Sequence, residues 1–416
     1  MKKVINLFLA AVMMLSLAAC GSEGGTQSTA ADEGTDGGLK IGVILIGDEN
    51  EGYSYAHISG IKEAAANLGI PDENILWKYS VSEDAGCYDA AMDLVDAGCK
   101  LVISNSYGHQ TYMQQAAQEV PDVTFVSMTG DTASVSGLPN FKNAFTKVFQ
   151  SRYVSGVVAG MKIAELDAQG AIPEKSLDAD GNVRIGYVGA YPYAEVVSGY
   201  TAFYLGAKSV YDKLTMEVSY TNSWSDLTAE AEAANALLSD GCIIIGQHAD
   251  STGAPSAVQA AYEKGETVFS VGYNVDMLSV APDAALTSAA NNWSVYYTYA
   301  IGAVLNGEEV ATNWAAGYES DAVRLTQLGP NVAAGTAEKV AEVEEALGNG
   351  SLQVFDTDSF TVDGKKIEDY TIDLNGDYDT DDEEDQNAIW DGYFHESEFR
   401  AAPSFDIRID GIIEKN

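Results

Sequence analysis

The chain has 416 residues, 62 of them Asp or Glu and 22 Lys or Arg, for a formal net charge of −40. A surface this acidic repels polyanions, so no nucleic acid is expected as a partner. The cysteines stand far apart at 20, 87, 99 and 242 and the four histidines share no ligand spacing, which argues against a disulfide scaffold, a resident metal or another cofactor.

Residues 1–19 read as an export signal. Lys2 and Lys3 precede an apolar run over 4–18, shorter than the ~20 residues that cross a bilayer as a helix. The run ends in 17-LAAC-20, which resembles a bacterial lipobox with Cys20 as the lipidated residue. The expected state is an exported chain held on the extracytoplasmic side of the cell membrane by lipid alone. Residues 20–38 are small, polar or acidic and read as a flexible tether.

From residue 40 short apolar runs alternate with amphipathic ones. The runs 40–46, 74–80, 101–106 and 123–128 predict strands, and helical spacing fills 57–68, 87–97 and 109–119. Continuously apolar strands separated by helices predict a parallel sheet covered on both faces. Cys87 and Cys99 at opposite ends of one such helix would stand about 18 Å apart, too far for a bridge, so buried thiols are expected.

The pattern then restarts. Strand 184-RIGYVGA-190 echoes 40-KIGVILI-46, 193-YAEVVSG-199 echoes 55-YAHISG-60, and 234-ANALLSDGCIII-245 echoes 91-AMDLVDAGCKLV-102. Two similar lobes follow. In open parallel sheets ligands sit beyond the carboxyl ends of the strands. The residues expected to face a cleft are therefore 48–55, 105–108, 129–131, 191–192, 247–252 and 273–276, segments rich in amides, carboxylates and rings.

The pieces GYSYAHISG (52–60), NSYG (105–108), PDVTFVSMTG (121–130), RYVSGVVAG (152–160), NSWSD (222–226), GQHADS (246–251), GYNVDM (272–277) and LTSAANNW (286–293) carry a resemblance. In order and spacing they resemble the basic membrane protein family, the purine nucleoside-receptor-like substrate-binding lipoproteins of ABC importers. The resemblance covers roughly 40–345. It implies an α/β type I periplasmic-binding-protein fold, two Rossmann-like lobes with parallel sheets joined by a three-segment hinge near 143–149, 285–293 and 310–325. The expected division is a first lobe of 39–148 plus 290–320, a second lobe of 149–289, a hinge return at 321–345 and an acidic C-terminal extension at 346–416.

The resemblance also implies a small-molecule purine ligand, base or nucleoside, handed to an ABC permease without chemistry. Tyr53, with Ser54 beside it, falls where the family places an aromatic stacker, and stacking on a base is worth ~1–3 kcal/mol. Asn105, Gln247 and His248 offer neutral polar groups for a base edge, and Tyr107 and Asn274 are further expected ligand-binding residues. Asp250 and Asp276 suit ribose hydroxyls or a base N–H, or else cap the following helices. Trp224 and Trp293 either close the other side of the ring system or pack the core and hinge. At Thr129 and Asn291 the chain departs from the nucleoside-binding branch, which has an aspartate and a lysine there; losing both charges favours a neutral, smaller ligand such as adenine.

Three other readings stay open. One is a surface-anchored sensor, and a second is a binder of another polar ligand such as a sugar. The third is an extracellular nucleosidase using Asp250 and His248. In the tail, Asp373, Asn375, Asp377, Asp379 and Glu384 fall near the spacing of an EF-hand calcium loop, with Tyr378 where that loop needs glycine. The stretches 352–358 and 405–412 read as further strands.

Overall fold

The computed structural model describes residues 38–374, 380 and 385–416. Cys20 and four of the five calcium-loop positions (Asn375, Asp377, Asp379 and Glu384) lie outside these residues.

The first sheet is built from β1 (Ile41–Ile44), β2 (Ile75–Lys78), β3 (Leu101–Ser104), β4 (Thr124–Met128) and β5 (Phe141–Thr146). Helices α1 (Gly52–Leu68), α2 (Ala85–Asp96) and α3 (Gln110–Glu119) alternate with these strands. All pairs in this sheet are parallel, including the later strand β11 (Asn313–Ala316) on β5, in the order β11-β5-β4-β3-β1-β2. Every residue of β1 and β3 is buried because helices cover both faces.

After α4 (Val148–Ala168) the grammar repeats in β6 (Val183–Gly189), α5 (Ala194–Lys208), β7 (Leu214–Tyr220), α6 (Leu227–Ser239), β8 (Ile244–Gln247), α7 (Gly253–Glu263), β9 (Phe269–Tyr273) and β10 (Ala285–Asn291). Helix α8 (Trp293–Asn306) packs against α1, leads to β11, and the chain then returns through β12 (Val323–Leu325) and α9 (Thr336–Gly348). The second sheet has the order β12-β10-β9-β8-β6-β7 and is extended by a last strand. The backbone thus passes between the sheets at 147, at 292 and at 317–322.

Local chemistry sets these elements. Glu51 caps α1 by accepting from the amides of Tyr53 and Ser54, and Asp226 caps α6 in the same way. Helices α4 and α5 touch backbone to backbone. A Cβ at Gly156 would stand 2.0 Å from the Phe203 carbonyl oxygen, and one at Gly206 would stand 2.0 Å from that of Tyr153.

The tail carries two short antiparallel pairs, β13 (Thr371–Ile372) with β14 (Gln386–Asn387) and β15 (Ile389–Trp390) with β16 (Tyr393–Phe394). Strand β17 (Ile412–Glu414) then joins the second sheet parallel to β7. The stretch expected as a strand at 352–358 has only a single bridge at Asp356, and 405–411 forms no ladder. Phe405, Ile407 and Ile409 alternate inward as in a strand, but into side chains of the second lobe rather than along a sheet edge.

Candidate functional site

Between the two sheets lies a cavity of about 310 Å³. The first sheet contributes Ile46, Gly47, Glu51, Tyr53, Asn105, Ser106, Tyr107 and Thr129, and the second contributes Tyr191, Glu195, Ser223, Trp224, Ser225, His248, Asp250 and Tyr273. All but Tyr273, the last residue of β9, stand beyond the carboxyl end of a strand, where an open parallel sheet exposes backbone and side chains to a ligand. The lobes meet at the rims. Tyr107 lies 6.1 Å from Tyr193, ring to ring, and a Cβ at Gly52 would be 3.2 Å from the Asp250 carbonyl oxygen.

On the first-lobe wall the Tyr53 hydroxyl donates to the Asn105 carbonyl at 2.6 Å, which fixes the ring. The ring sits edge-on to His57, with centroids 4.4 Å apart. Ser54 lies behind the wall, where its hydroxyl oxygen accepts from the Gly47 amide at 3.2 Å and from Asn105 Nδ2 at 3.1 Å. Trp293 stacks on His57 at 4.3 Å, buried in the first-lobe core and outside the cavity lining. Thr129 follows β4 with φ +62°, and its counterpart Asn274 follows β9 with the same φ. A β-branched residue seldom adopts that backbone; the Thr129 amide donates to the Ala144 carbonyl of β5 at 2.9 Å, which ties the residue to the neighbouring strand.

On the second-lobe wall Tyr191 and Trp224 meet edge-on with centroids 5.1 Å apart. Buried His248 shares a 3.1 Å contact from Nε2 to Glu195. Asn274 donates to Asp250 at 2.7 Å and accepts from Asn291 at 3.0 Å, so both amides form a layer behind the carboxyl. Gln247 is also behind the wall, donating to the carbonyls of Ala249 and Ser251. Asp276 is exposed, accepts from the Leu278 amide at 2.8 Å, and lines a separate groove at the hinge together with Asn291 and Trp293.

The electrostatics of the cavity are lopsided. Burial pushes the Asp250 carboxyl well above the usual carboxylate range, and the charges of Glu51, Glu230 and Glu195 add to the effect while Arg152 opposes it. Burial also raises Glu51. His248 is lowered by burial and by Arg152, so its imidazole is neutral at pH 7. Arg152 lies beneath this floor. Its guanidinium carbon is 3.6 Å from the Tyr273 ring centroid, and Nη1 donates to the Gln247 carbonyl at 2.5 Å. Three carboxyl groups therefore face a space lined by rings, a set that accepts hydrogen bonds from a ligand's N–H or O–H groups.

Of the residues expected from sequence, Tyr53, Asn105, Tyr107, Thr129, Trp224, His248 and Asp250 line this cavity. Glu195 and Arg152 escaped sequence reasoning. A signal for Glu195 was present: the echo of YAHISG in YAEVVSG places it opposite His57.

The model of the Bmp family, PnrA-like ABC transporter substrate-binding proteins, matches residues 40–355. The chain belongs to this family. Among this Bmp protein's relatives is a purine-binding protein of Brucella abortus, 31% identical over 342 residues, which cover 80% of this chain and 90% of that one. A putative ABC transporter glucose-binding protein of Haloferax volcanii is 31% identical over 260 residues, covering 62% of this chain and 60% of that one. Solute-binding proteins of ABC transporters share the fold. One from Aeropyrum pernix has a TM-score of 0.62 at 14% identity, covering 79% of this chain and 94% of its own. One from Conexibacter woesei has a TM-score of 0.59 at 20% identity, covering 76% and 98%. The fold is thus the α/β periplasmic-binding-protein type, and this Bmp protein is a substrate-binding protein of an ABC transporter, with a small molecule and a permease as partners. Among the described residues no helix is long and apolar enough to cross a membrane.

Proposed function

We propose that the protein captures a purine base, adenine or a close relative, between its lobes and delivers it to the permease. The observation that carries this reading is the pairing of ring and carboxyl walls around one small cavity. Tyr53, Tyr107, Tyr191, Trp224 and Tyr273 supply flat apolar faces, and Glu51, Glu195 and Asp250 supply acceptors for base N–H groups. At about 310 Å³ the space is at the low end of the roughly 300–1,000 Å³ of small-molecule sites, which suits a base better than a nucleoside. The purine-binding relative supports the same ligand class. A lipid on Cys20 would hold the protein at the outer face of the membrane.

A sugar is the second reading, favoured by the same combination of rings and carboxyl groups and by the name of the Haloferax relative. Calorimetric titration of protein stripped of bound ligand, with adenine, adenosine, guanosine, ribose and glucose, separates the two. Adenine binding tighter than adenosine is the expected result. Tight glucose binding with no purine binding would replace this reading with the sugar.

A further inference from the structure

The family match ends at residue 355, yet part of the remaining tail reaches the ligand cleft. The tail is anchored in the second lobe. Phe405 stacks on Phe355 with centroids 4.2 Å apart, and Phe355 in turn stacks on Phe149 of α4. The buried Glu396 carboxyl group accepts from the Ser198 hydroxyl of α5 at 2.8 Å and from the amides of Ser404 and Phe405 at 3.1 and 2.8 Å. Glu396 thereby pins both ends of a loop, 396–405, to the second lobe.

The middle of that loop also reaches the first lobe, although the Phe399 ring packs with the second-lobe cluster and Arg400 donates to the carbonyls of Asp373 and Pro403. The Phe399 carbonyl accepts from Asn313 of β11 at 3.5 Å. Ala401 is fully buried in the same apolar cluster as Tyr53, Phe145 and Trp293. Arg400 Nη1 lies 3.5 Å from the Asp131 carboxylate, with both side chains mostly buried. Asp131 is itself held by Gln110 Nε2 at 2.8 Å and by the hydroxyl of the cavity residue Tyr107 at 3.0 Å. A side chamber of about 40 Å³ runs from Tyr107, Thr129 and Glu195, which line the ligand cavity, to Arg400, Ala402 and Pro403.

We propose that the loop 396–405 is a clasp across the hinge and a wall of the ligand site, with Arg400 as a positioning residue that holds the first lobe closed through Asp131. The physical reason is the connectivity. Opening the cleft by rotation about the three crossings must separate Arg400 from Asp131 and withdraw Ala401 from the first-lobe core, because Glu396 and Phe405 stay with the second lobe. A charge pair broken on release, with little water to replace it, acts mainly on the dissociation rate. Ligand retention is therefore set in part by residues outside the family's common core.

The test uses the full chain as wild type, Arg400→Ala, Arg400→Lys, Asp131→Asn and the double variant Arg400→Ala/Asp131→Asn. Adenine dissociation is followed by stopped-flow chase, and amide exchange is followed in the ligand-free protein. Arg400→Ala and Asp131→Asn should each speed dissociation about tenfold, with association unchanged or faster. The double variant should add little to either single one, and Arg400→Lys should stay near wild type. In the ligand-free protein the amides of 129–133 and 291–293 should exchange faster in both single variants, while the strands of both lobes do not change. Should wild type fail to bind adenine, the purine reading falls and the exchange arm still decides the clasp. Unchanged exchange at 129–133 and 291–293, unchanged dissociation, or effects that simply add in the double variant would each overturn the proposal.

Discussion

The Thr146 hydroxyl, at the end of β5 in the first sheet, donates to the carboxamide oxygen of Asn291, at the end of β10 in the second. Asn291 then donates to Asn274, and Asn274 to Asp250, so a chain of hydrogen bonds runs from the hinge to the cavity. Asn291→Ala leaves a buried hydroxyl and a buried amide oxygen without partners. The expected cost is about 2–4 kcal/mol in urea unfolding. A loss below about 1 kcal/mol would mean that the hinge network is slack.

Tyr53 separates a hydroxyl role from a ring role. Tyr53→Phe removes the bond to the Asn105 carbonyl and should cost about 1 kcal/mol of stability while leaving adenine affinity within a few-fold. On the purine reading the Tyr53 ring stacks on the base, so Tyr53→Ala should weaken adenine at least about tenfold. Calorimetry on both variants checks this. Equal losses of affinity would assign recognition to the hydroxyl and its partner instead.

Much of the framework was legible because the strands declare themselves. The apolar runs at 40–46, 101–106 and 123–128 contain β1, β3 and β4. Helix α1 begins at Gly52 rather than near 57, because its first turn, Gly-Tyr-Ser-Tyr, looks like loop until the Glu51 cap is seen. Helix α4 offers no amphipathic stripe, since most of its residues are buried, packed against α5, β10, α9 and β12. The site was half legible. Residues directly after strands could be placed, but Glu195 stands on the first turn of α5, and Arg152 reaches the floor from α4, an element whose position depends on the whole second lobe. The clasp was invisible, because a contact between Arg400 and Asp131 leaves no mark in local periodicity.

Asp250 should couple ligand binding to protons. Its carboxyl is raised by burial first and then by Glu51, Glu230 and Glu195, so the ligand-free site retains a proton to higher pH than an ordinary aspartate. An ionised Asp250 accepts from a base N–H more strongly than the protonated group, so such a contact favours the ionised form. Adenine binding should therefore release protons, and affinity should rise with pH until the ligand-free group is fully ionised. Titrations in buffers of different ionisation enthalpy between pH 5 and 8 measure the release, and Asp250→Asn should remove most of it. Affinity that falls with pH over this range would contradict the assignment.

Glu396 gives the tail its own pH dependence. Burial pushes its carboxyl up to about 7 from an ordinary value of 4.5, and the Ser198 hydroxyl, the Arg400 charge and the amides of Ser404 and Phe405 offset only part of the effect. The folded protein thus holds a proton that the unfolded chain has released. This contribution to stability is fully present below about pH 4.5 and is lost as pH rises through about 7. The full difference is roughly 3 kcal/mol at 1.36 kcal/mol per pKa unit. Comparing wild type with Glu396→Gln isolates it, since other groups titrate alike in both. The stability of wild type relative to Glu396→Gln should fall between pH 5 and 8, and a flat difference would show that Glu396 ionises as freely in the fold as in the unfolded chain. Arg400 supplies one of the few charges that favour the ionised form, so in Arg400→Ala the midpoint of this loss should move to higher pH. A midpoint unmoved by that change would place the Arg400 charge outside the reach of the anchor.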